Sequence, residues 1–403
     1  MVGPLLKQAF LRWGTKKTSD EEEIMSDEQA RRSSRSSDSS QVNPPSEELK
    51  LWKAYDDYQD IKRLQCGAEA VSSLTESFSS GRVFVVKRMI NYPTYRPQPR
   101  HSSRQNFVPK SWPYPNEYNV LSKTIKPHPN ILKVFGCDLL GLRHANLYTE
   151  YCNGGDLSDF AVRRPGAGDL VPENFALHVF ISLIRALAYL HYGLRWDAEY
   201  KRYCQETKYT PCVHGDVKPE NVFLKWSENP QQPSMPDIVL GDFGFTQPAS
   251  RAEGVTGTTA YQAPELAAIR ALKKVDPKAY ERTMSTPGHM TFATDVFSLG
   301  QTMHVVCKAM LHQIGGDPHT KPVRRVMVGK RWQMVGVELD SSEVPSYVTP
   351  EIEDSIKRCL APNPAMRPTM GLNGMLQMVE VFRKALEGFS VESEEVAKWP
   401  REV

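Results

Sequence analysis

The sequence predicts an α+β protein with a strand-rich N-terminal lobe and a helix-rich C-terminal lobe. Short runs of β-branched and aromatic residues come first, at positions 83–86, 131–135 and 146–149, and such runs favour strands. After residue 153, apolar side chains recur at helical spacing, most clearly over residues 175–190. No internal repeat interrupts this order, so we expect two lobes with a ligand-binding cleft between them.

Two helices are indicated by local signals. Glu117, Val120 and Leu121 lie at helical spacing between the first two strands, which predicts one helix inside the strand-rich lobe. Pro172 precedes the apolar run of the second lobe, and proline is favoured at the first position of a helix. The second lobe should therefore begin with a long helix that lines its core.

Composition narrows the class of protein. The 403 residues are 40% hydrophobic and 24% charged, with a formal net charge of +3, so we expect a globular protein and see no sign of a nucleic-acid partner. The seven cysteines include no Cys-x-x-Cys pair, which argues against a disulfide framework or zinc site and favours a cytoplasmic and/or nuclear location. No run of about 18 apolar residues occurs, so no membrane span is expected.

The two ends of the chain differ from its middle. Residues 18–50 are rich in Ser, Glu, Asp and Arg, so a disordered tail is expected over residues 1–50. The first residues could form a short basic amphipathic helix, but their length favours a frayed terminus. We expect a folded domain over residues 55–388 and a short tail at residues 389–403.

Three polar or charged segments interrupt the apolar pattern, at residues 91–113, 192–211 and 268–292. Segments of this composition and length are usually surface loops. A partner-binding role for any of them stays open, since loops often carry such functions.

Three motifs carry the chemistry of this chain. They read His214-Gly215-Asp216-Val217-Lys218-Pro219-Glu220-Asn221, then Leu240-Gly241-Asp242-Phe243-Gly244, then Gly257-Thr258-Thr259-Ala260-Tyr261-Gln262-Ala263-Pro264-Glu265. In this order they resemble the catalytic segments of eukaryotic-type protein kinases. Because Gly215 stands where many kinases carry Arg, the chain resembles a divergent Ser/Thr-type member.

The resemblance implies a fold, a reaction and its reactants. The implied fold is bilobal, with a small antiparallel sheet and one key helix in the N-lobe (residues 55–152) and a mainly α-helical C-lobe (residues 153–388). The implied reaction moves the γ-phosphate of ATP to Ser or Thr hydroxyls of a protein substrate, with Mg²⁺ as the metal. Lys218 favours the Ser/Thr-directed class, and the oligomeric state is not indicated.

The resemblance also assigns roles within the catalytic motifs. Asp216 is expected to orient the substrate hydroxyl and accept its proton, and Lys218 to lie near the transferring phosphate. Asn221 and Asp242 are expected to bind the metal, because Mg²⁺ prefers oxygen ligands and keeps several waters. An isolated Asp or Asn is more often a turn or cap residue, but the combined spacing favours the catalytic interpretation.

Upstream residues complete the expected nucleotide site. Lys87 resembles the strand lysine that contacts the α- and β-phosphates, and Glu117 resembles the helix glutamate that pairs with it. The backbone of Glu150 and Cys152 is expected to hydrogen-bond adenine, with Asp156 near the ribose. Two structural contacts are implied as well, namely Asp295 holding the catalytic-loop backbone and Glu265 pairing with Arg367.

The glycine-rich loop departs from the family pattern. Gly67 falls on the second glycine, whereas the first and third positions hold Gln65 and Ala70. Glycine lets backbone amides approach phosphate closely, so a weaker fit to ATP is expected. This departure supports an alternative function, a pseudokinase or scaffold that binds partners without efficient phosphotransfer. A kinase of small molecules would share the lobes but not the segment that ends at Glu265.

A second departure concerns the activation segment. In many kinases the arginine that is replaced here by Gly215 binds a phosphorylated activation loop. The position that often holds the phosphorylated threonine is Gly254. We therefore expect activity that does not require phosphorylation at this site.

Overall fold

The computed structural model describes residues 58–66, 70–90, 114–140, 144–158, 173–227, 235–284, 286, 288–309, 323–328, 331–336 and 350–387. The expectations for the two tails, for residues 91–113 and for Gly67 lie outside these residues. The chain divides into two compact units, Met1–Tyr58 and Gln59–Val403. The features below belong to the second unit, apart from Tyr58, the first residue of β1.

A five-stranded antiparallel sheet forms the N-terminal lobe, with the strand order β1-β2-β3-β5-β4. Its strands are β1 (Tyr58–Cys66), β2 (Ala70–Ser77), β3 (Val83–Ile90), β4 (Val134–Leu139) and β5 (His144–Thr149). The predicted strand-rich lobe is confirmed, although the run at residues 131–135 becomes a strand only from Val134. Ile131 instead makes an isolated bridge to Leu240 of the other lobe.

One short helix packs beside this sheet, as predicted. Helix α1 (Asn116–Asn119) continues as a π-helical turn (Val120–Thr124). Pro115 precedes it with φ −53° and ψ 148°, an extended conformation from which a helix can start. Glu117, Val120 and Leu121 are the buried positions, so the face that was expected to point inward does so.

The C-terminal lobe is mainly helical. Its helices are α2 (Glu173–Tyr192), α3 (Pro264–Val275), α4 (Pro277–Met284), α5 (Phe292–Ala309), α6 (Pro350–Cys359) and α7 (Met375–Glu387). Its short strands are β6 (Leu194–Asp197), β7 (Arg202–Gln205), β8 (Cys212–Val213), β9 (Val222–Lys225), β10 (Asp237–Leu240), β11 (Gln247–Pro248), β12 (Val323–Val328) and β13 (Arg331–Gly336). The strands pair two by two, β6 with β7, β8 with β11, β9 with β10 and β12 with β13.

Helix α2 is the central element of this lobe. It is the one helix in the described part of the chain that is long and apolar enough to cross a membrane. However, its side chains are buried almost throughout its length. It packs against α5, α7 and β10, so its apolar composition is accounted for by its position in the core.

Two segments that were expected to be loops are regular structure. Residues 192–211 contain the hairpin β6–β7, in which Trp196 pairs with Tyr203 across the strands and their rings lie 5.2 Å apart. Such aromatic pairs stabilise antiparallel strands. The loop expectation was wrong here because aromatic residues alternate with charged ones in this segment, and its composition alone resembles that of a loop.

Residues 268–292 are largely helical. Helix α3 ends at Val275, and Asp276 Oδ1 accepts a hydrogen bond from Ala279 N at 2.9 Å. Pro277 then occupies the first position of α4, so the two helices follow each other with a single residue between them. The lysines of this segment lie on exposed helix surface, where a polar composition is normal.

The hairpin β9–β10 connects the two catalytic motifs. Val222 pairs with Leu240 at its open end, and Gly241 N donates to Asn221 O at 2.8 Å. The residues directly before β9 and directly after β10 therefore lie side by side. This pairing brings Asn221 and Asp242 to the same place in the fold.

Candidate active site

The backbone of the catalytic loop is held by a buried carboxylate. Asp295, in the first turn of α5, accepts hydrogen bonds from His214 N at 2.7 Å and Gly215 N at 2.9 Å. His191 Nε2 lies 3.0 Å from the same carboxylate. The expected role of Asp295 is confirmed, and it fixes the loop immediately before Asp216.

The side chain of Asp216 has a fixed orientation. Its Oδ1 accepts from Thr258 N at 2.7 Å, and its Oδ2 accepts from Asn221 Nδ2 at 3.2 Å. Lys218 Nζ lies 3.1 Å from Oδ2 and donates to Thr258 Oγ1 at 2.8 Å. Asp216, Lys218 and Asn221 thus meet as one group, which Thr258 joins to the segment after Asp242.

A second group joins the two lobes. Lys87 Nζ, on β3, lies 2.7 Å from Glu117 Oε2 on α1 and 3.0 Å from Asp242 Oδ1. Burial disfavours the charged amine of Lys87, but the carboxylates of Glu117 and Asp242 outweigh it and raise its pKa. The geometry that the sequence predicted for Lys87 and Glu117 is therefore present.

The same cation acts on its acidic partners. Burial opposes ionisation of Asp242, yet Lys87 beside it lowers its pKa below the ordinary value. Burial raises the pKa of Glu117, and the proximity of Lys87 opposes that rise. Lys87 thus keeps a carboxylate with a lowered pKa at the position where the sequence predicts a metal ligand.

The backbone at Asp242 adopts a left-handed conformation, with φ 56° and ψ 71°. Such a conformation is costly for a residue with a Cβ and is concentrated at functional sites. Phe243, which follows, is fully buried with its ring 4.9 Å from that of His214 in an edge-on arrangement. His214 and Phe243 are packing residues, as expected.

Asn116 is a site residue that the sequence did not indicate. Its amide Nδ2 donates to Thr246 O at 2.8 Å and Gly244 O at 3.0 Å, with Phe243 O at 3.4 Å. Phe243 N in turn lies 3.4 Å from Glu117 Oε1. Two neighbouring residues of α1 therefore hold the segment after Asp242. In the sequence, only the position of Asn116 directly before Glu117 could have suggested this role.

The donor set at Asn221 and Asp242 fits a hard divalent cation. The amide nitrogen of Asn221 donates to Asp216 O at 2.8 Å as well as to Oδ2, so the amide oxygen is the atom left for a metal. Within the described residues no group of three or more His, Cys, Asp or Glu could hold a metal. Two oxygen ligands suit an ion that completes its coordination with water and phosphate.

The connection between the lobes contains the expected adenine-binding residues. Glu150 N donates to Lys133 O at 3.0 Å, and its carboxylate accepts from Lys133 N at 2.9 Å and Lys225 Nζ at 2.5 Å. Cys152 is buried, which raises the pKa of its thiol. Asp156 makes an isolated bridge to Phe223 of β9. Contacts with Lys133 and Lys225 thus fix the position of Glu150 in this connection.

An apolar cluster supports the activation segment beside Gly215. Met290 is buried with Val213, Ala252 and Leu266. Its sulfur accepts a hydrogen bond from Thr256 Oγ1 at 3.0 Å. Met290 was not indicated by the sequence, because nothing in its local pattern links it to the catalytic loop.

Glu265 and Arg367 form the expected ion pair. Arg367 Nη1 and Nη2 lie 2.7 Å and 2.8 Å from the two carboxylate oxygens of Glu265. The guanidinium also donates to the carbonyls of Ala361, Ala293 and Pro362. The buried charge is therefore compensated on all sides, as a buried ion requires.

Comparison with known proteins agrees with this geometry. The model of the protein kinase domain matches residues 99–380. The G2-specific protein kinase nimA of Emericella nidulans is 24% identical over 82% of this chain and 42% of its own length. The G2-specific protein kinase nim-1 of Neurospora crassa is 27% identical over 67% of this chain and 29% of its own length.

A human protein kinase is also similar in sequence to this chain. The serine/threonine-protein kinase Nek11 of Homo sapiens is 27% identical over 63% of this chain and 31% of its own length. The chain thus spans less than half the length of these curated relatives. The domain match covers more than half of the chain and includes Glu117, Asp216, Lys218, Asn221 and Asp242, although it begins after Lys87, so this chain belongs to the protein kinase family.

Proposed function

We propose that this protein is a serine/threonine protein kinase that moves the γ-phosphate of ATP to Ser or Thr hydroxyls of a protein substrate. The single observation that carries the proposal is the position of Lys87, whose amine contacts both Glu117 and Asp242. This arrangement joins the two lobes and places a cation beside a metal-ligand position. The relatives named above are protein kinases, and family membership implies ATP and a divalent metal ion.

The catalytic group supplies positioning and charge neutralisation. Asp216 orients the substrate hydroxyl and accepts its proton, because its carboxylate is fixed by Thr258 and Asn221. Lys218 places its ammonium where negative charge develops on the transferring phosphate. Asn221 and Asp242 would hold Mg²⁺, which supplies a Lewis acid that neutralises phosphate charge.

The nucleotide is held by residues from both lobes. Lys87 contacts the α- and β-phosphates, the backbone of Glu150 and Cys152 hydrogen-bonds adenine, and Asp156 lies near the ribose. Gly67 is proposed to let the backbone approach the phosphates. A single glycine in this loop predicts weaker affinity for ATP, and charge neutralisation by Lys87 and the metal compensates in part.

We also propose that activity does not require phosphate at the position that Gly254 occupies in the activation segment. Met290 occupies the space beside Gly215 where an arginine side chain would point, and Gly254 offers no hydroxyl. Packing therefore replaces an ion pair in holding the segment. Phosphatase treatment should leave phosphotransfer unchanged; activity lost on treatment and restored by phosphate at one residue of the segment would contradict this.

The location proposed for the protein is the cytoplasm and/or nucleus. The six cysteines whose side chains are described are free thiols, at Cys137, Cys152, Cys204, Cys212, Cys307 and Cys359. Reduced thiols suit those compartments. Fluorescence microscopy of the tagged full chain tests this, and accumulation in a secretory compartment would contradict it.

The alternative function is a scaffold that binds partners without efficient phosphotransfer. The reduced glycine content of the loop suggests it, whereas the relatives, which are named as protein kinases, do not favour it. The two functions separate in one assay. Full-length protein is incubated with γ-labelled ATP, Mg²⁺ and a generic basic protein, next to an Asp216→Asn control. Phosphoserine or phosphothreonine formed only by the unaltered chain supports the kinase. ATP-dependent thermal stabilisation without transfer above the control would support the scaffold.

A further inference from the structure

The hairpin β6–β7 follows α2 along the chain and precedes the catalytic loop. It contacts the loop that follows α1. This helix-exit loop comprises residues 125–130. Arg195, on β6, donates from Nη2 to Pro127 O at 2.8 Å. Its guanidinium also lies 5.4 Å from the ring centroid of Tyr189 on α2. One hairpin side chain therefore joins the helix-exit loop to the core helix of the other lobe.

Glu206, the residue directly after β7, makes a second contact with this loop. The carboxylate of Glu206 accepts a hydrogen bond from Tyr189 Oη at 2.8 Å and forms an ion pair with Lys126. Tyr189 Oη accepts in turn from Lys126 N at 2.8 Å. Burial opposes ionisation of Glu206, but these partners lower its pKa. Glu206, Tyr189 and Lys126 thus form a closed circuit of two hydrogen bonds and one ion pair between the lobes.

Aromatic packing surrounds this circuit. The ring of Tyr189 is fully buried and stacks on His128 with centroids 4.9 Å apart. Tyr209, at the end of the hairpin segment, lies 5.3 Å from Tyr189 and donates to Leu190 O at 2.9 Å. Because these rings shield the hydrogen bonds of Tyr189 from water, those bonds are stronger than they would be at an exposed surface.

The hairpin itself is anchored to α2. Glu206 N donates to Gly193 O at 2.8 Å, and Gln205 Nε2 donates to Tyr192 O at 3.0 Å. Arg185 Nε donates to Tyr203 Oη at 3.1 Å. Arg195 and Glu206 thus extend from a support that is fixed to the C-terminal lobe.

The anchored loop directly follows the element that carries Glu117. Helix α1 and its π-helical turn end at Thr124, so Lys126 lies only two residues beyond them. A displacement of Glu117 away from Lys87 would have to shift this loop or bend the short helix. We propose that Arg195 and Glu206 are positioning residues, which hold Glu117 within reach of Lys87 through the helix-exit loop.

The effect on catalysis rests on the proposed function, but the effect on the position of α1 can be measured without any phosphotransfer. The test compares two double variants of the full chain. Arg195→Ala/Glu206→Ala removes the contacts to the helix-exit loop. Glu199→Ala/Arg202→Ala removes the same charges from the exposed tip of the same hairpin, where Glu199 lies in the turn and Arg202 begins β7, and serves as the matched control.

Hydrogen–deuterium exchange of the peptides that cover residues 114–126 is the first readout. We expect exchange roughly tenfold faster in the Arg195/Glu206 variant and unchanged in the control, because the lost contacts tie this segment to the other lobe. Phosphotransfer is the second readout, and kcat should fall in parallel. Glu206→Gln keeps an acceptor for Tyr189 and should show an intermediate effect.

The outcomes separate this inference from the proposed function. Unchanged exchange over residues 114–126 in the Arg195/Glu206 variant would overturn the inference, as would equally faster exchange throughout α2, which would indicate a merely structural hairpin. Absence of phosphotransfer by the unaltered chain would overturn the proposed function and leave the exchange result valid. If the double variant does not fold, the single variants Arg195→Lys and Glu206→Gln carry the same comparison.

Discussion

Met290 fills the space into which a side chain at position 215 would point. A Cβ placed on Gly215 would lie 2.5 Å from Met290 Cε and 3.2 Å from Phe245 O. Gly215 also has φ +82°, a conformation that favours glycine. The catalytic loop and the activation segment are therefore in contact at a point that tolerates no larger residue without rearrangement.

The first prediction concerns Gly215→Ala. The added methyl group meets Met290 and the backbone strain is unfavourable, so the free energy of unfolding should fall by about 2 kcal/mol. Urea denaturation measures this. Gly288→Ala is the control, because Gly288 has φ +94° and no atom within 4 Å of an added Cβ. It should cost only the backbone strain, about 1 kcal/mol. Equal losses in both variants would show that Met290 imposes no constraint.

The second prediction concerns Asn116, whose amide donates to the carbonyls of Gly244 and Thr246. Asn116→Ala removes these hydrogen bonds and loosens the segment that carries Asp242, so kcat should fall roughly tenfold. Asn119→Ala, on the same helix, loses a bond to Tyr114 O instead and should leave kcat near the normal value. Steady-state kinetics with varied ATP measures both. An equal reduction of kcat in the two variants would contradict a specific role for Asn116.

The third prediction concerns the ion pair of Arg367 and Glu265. The side chain of Arg367 is fully buried, and its removal leaves a carboxylate and several carbonyls without their donor. Arg367→Met should therefore lower the free energy of unfolding by about 3–5 kcal/mol. In Arg358→Met the lost partner is the exposed Asp354, and the cost should be at most about 1 kcal/mol. Similar midpoints of urea unfolding for both variants would show that the ion pair of Arg367 and Glu265 does not stabilise the fold as predicted.

The fourth prediction concerns pH. Burial, with Arg195 and Arg185 nearby, lowers the pKa of His128 from its usual 6.5 to about 3. The unfolded chain therefore takes up a proton below pH 6.5 that the folded chain does not, and stability falls as pH decreases from about 6.5 towards 3. Between pH 7.5 and 5.5 this group should remove about 1.4 kcal/mol from the free energy of unfolding.

The variant His128→Phe keeps a ring beside Tyr189 and removes the titrating group. Its free energy of unfolding should change less between these two pH values than that of the unaltered protein. Chemical denaturation at both pH values provides the comparison. An identical pH dependence in the two proteins would show that His128 is not the group responsible.

Much of the site follows from motif spacing. The resemblance to protein kinases predicts the roles of Lys87, Glu117, Asp216, Asn221 and Asp242, and the structure brings these residues together in two groups joined by the hairpin β9–β10. The pairing of Glu265 with Arg367 was inferred in the same way. The adenine-binding role of the Glu150 backbone stays a prediction, and the side chain of Glu150 is engaged by Lys225.

Other features could not be inferred. The segment at residues 192–211 has the composition of a loop, and its strands form because Trp196 packs on Tyr203 and the hairpin rests on α2. The segment at residues 268–292 was assigned as a loop from its lysines and Thr/Pro/Gly content, whereas Asp276 and Pro277 start a second helix there. In the first segment packing against α2 outweighed local composition, whereas in the second the local helix-start residues Asp276 and Pro277 did.

By itself the sequence determined the family, the two-lobe α+β fold and the residue types that the reaction requires, because phosphate and metal chemistry restricts those types and their spacing along the chain. Only the tertiary structure decided what holds them in place. Asn116, Met290, Arg195 and Glu206 act through contacts between segments far apart in sequence, and such contacts leave no periodic or motif signal. The physical reason is that packing and hydrogen bonding depend on which surfaces meet, and that is set by the fold as a whole.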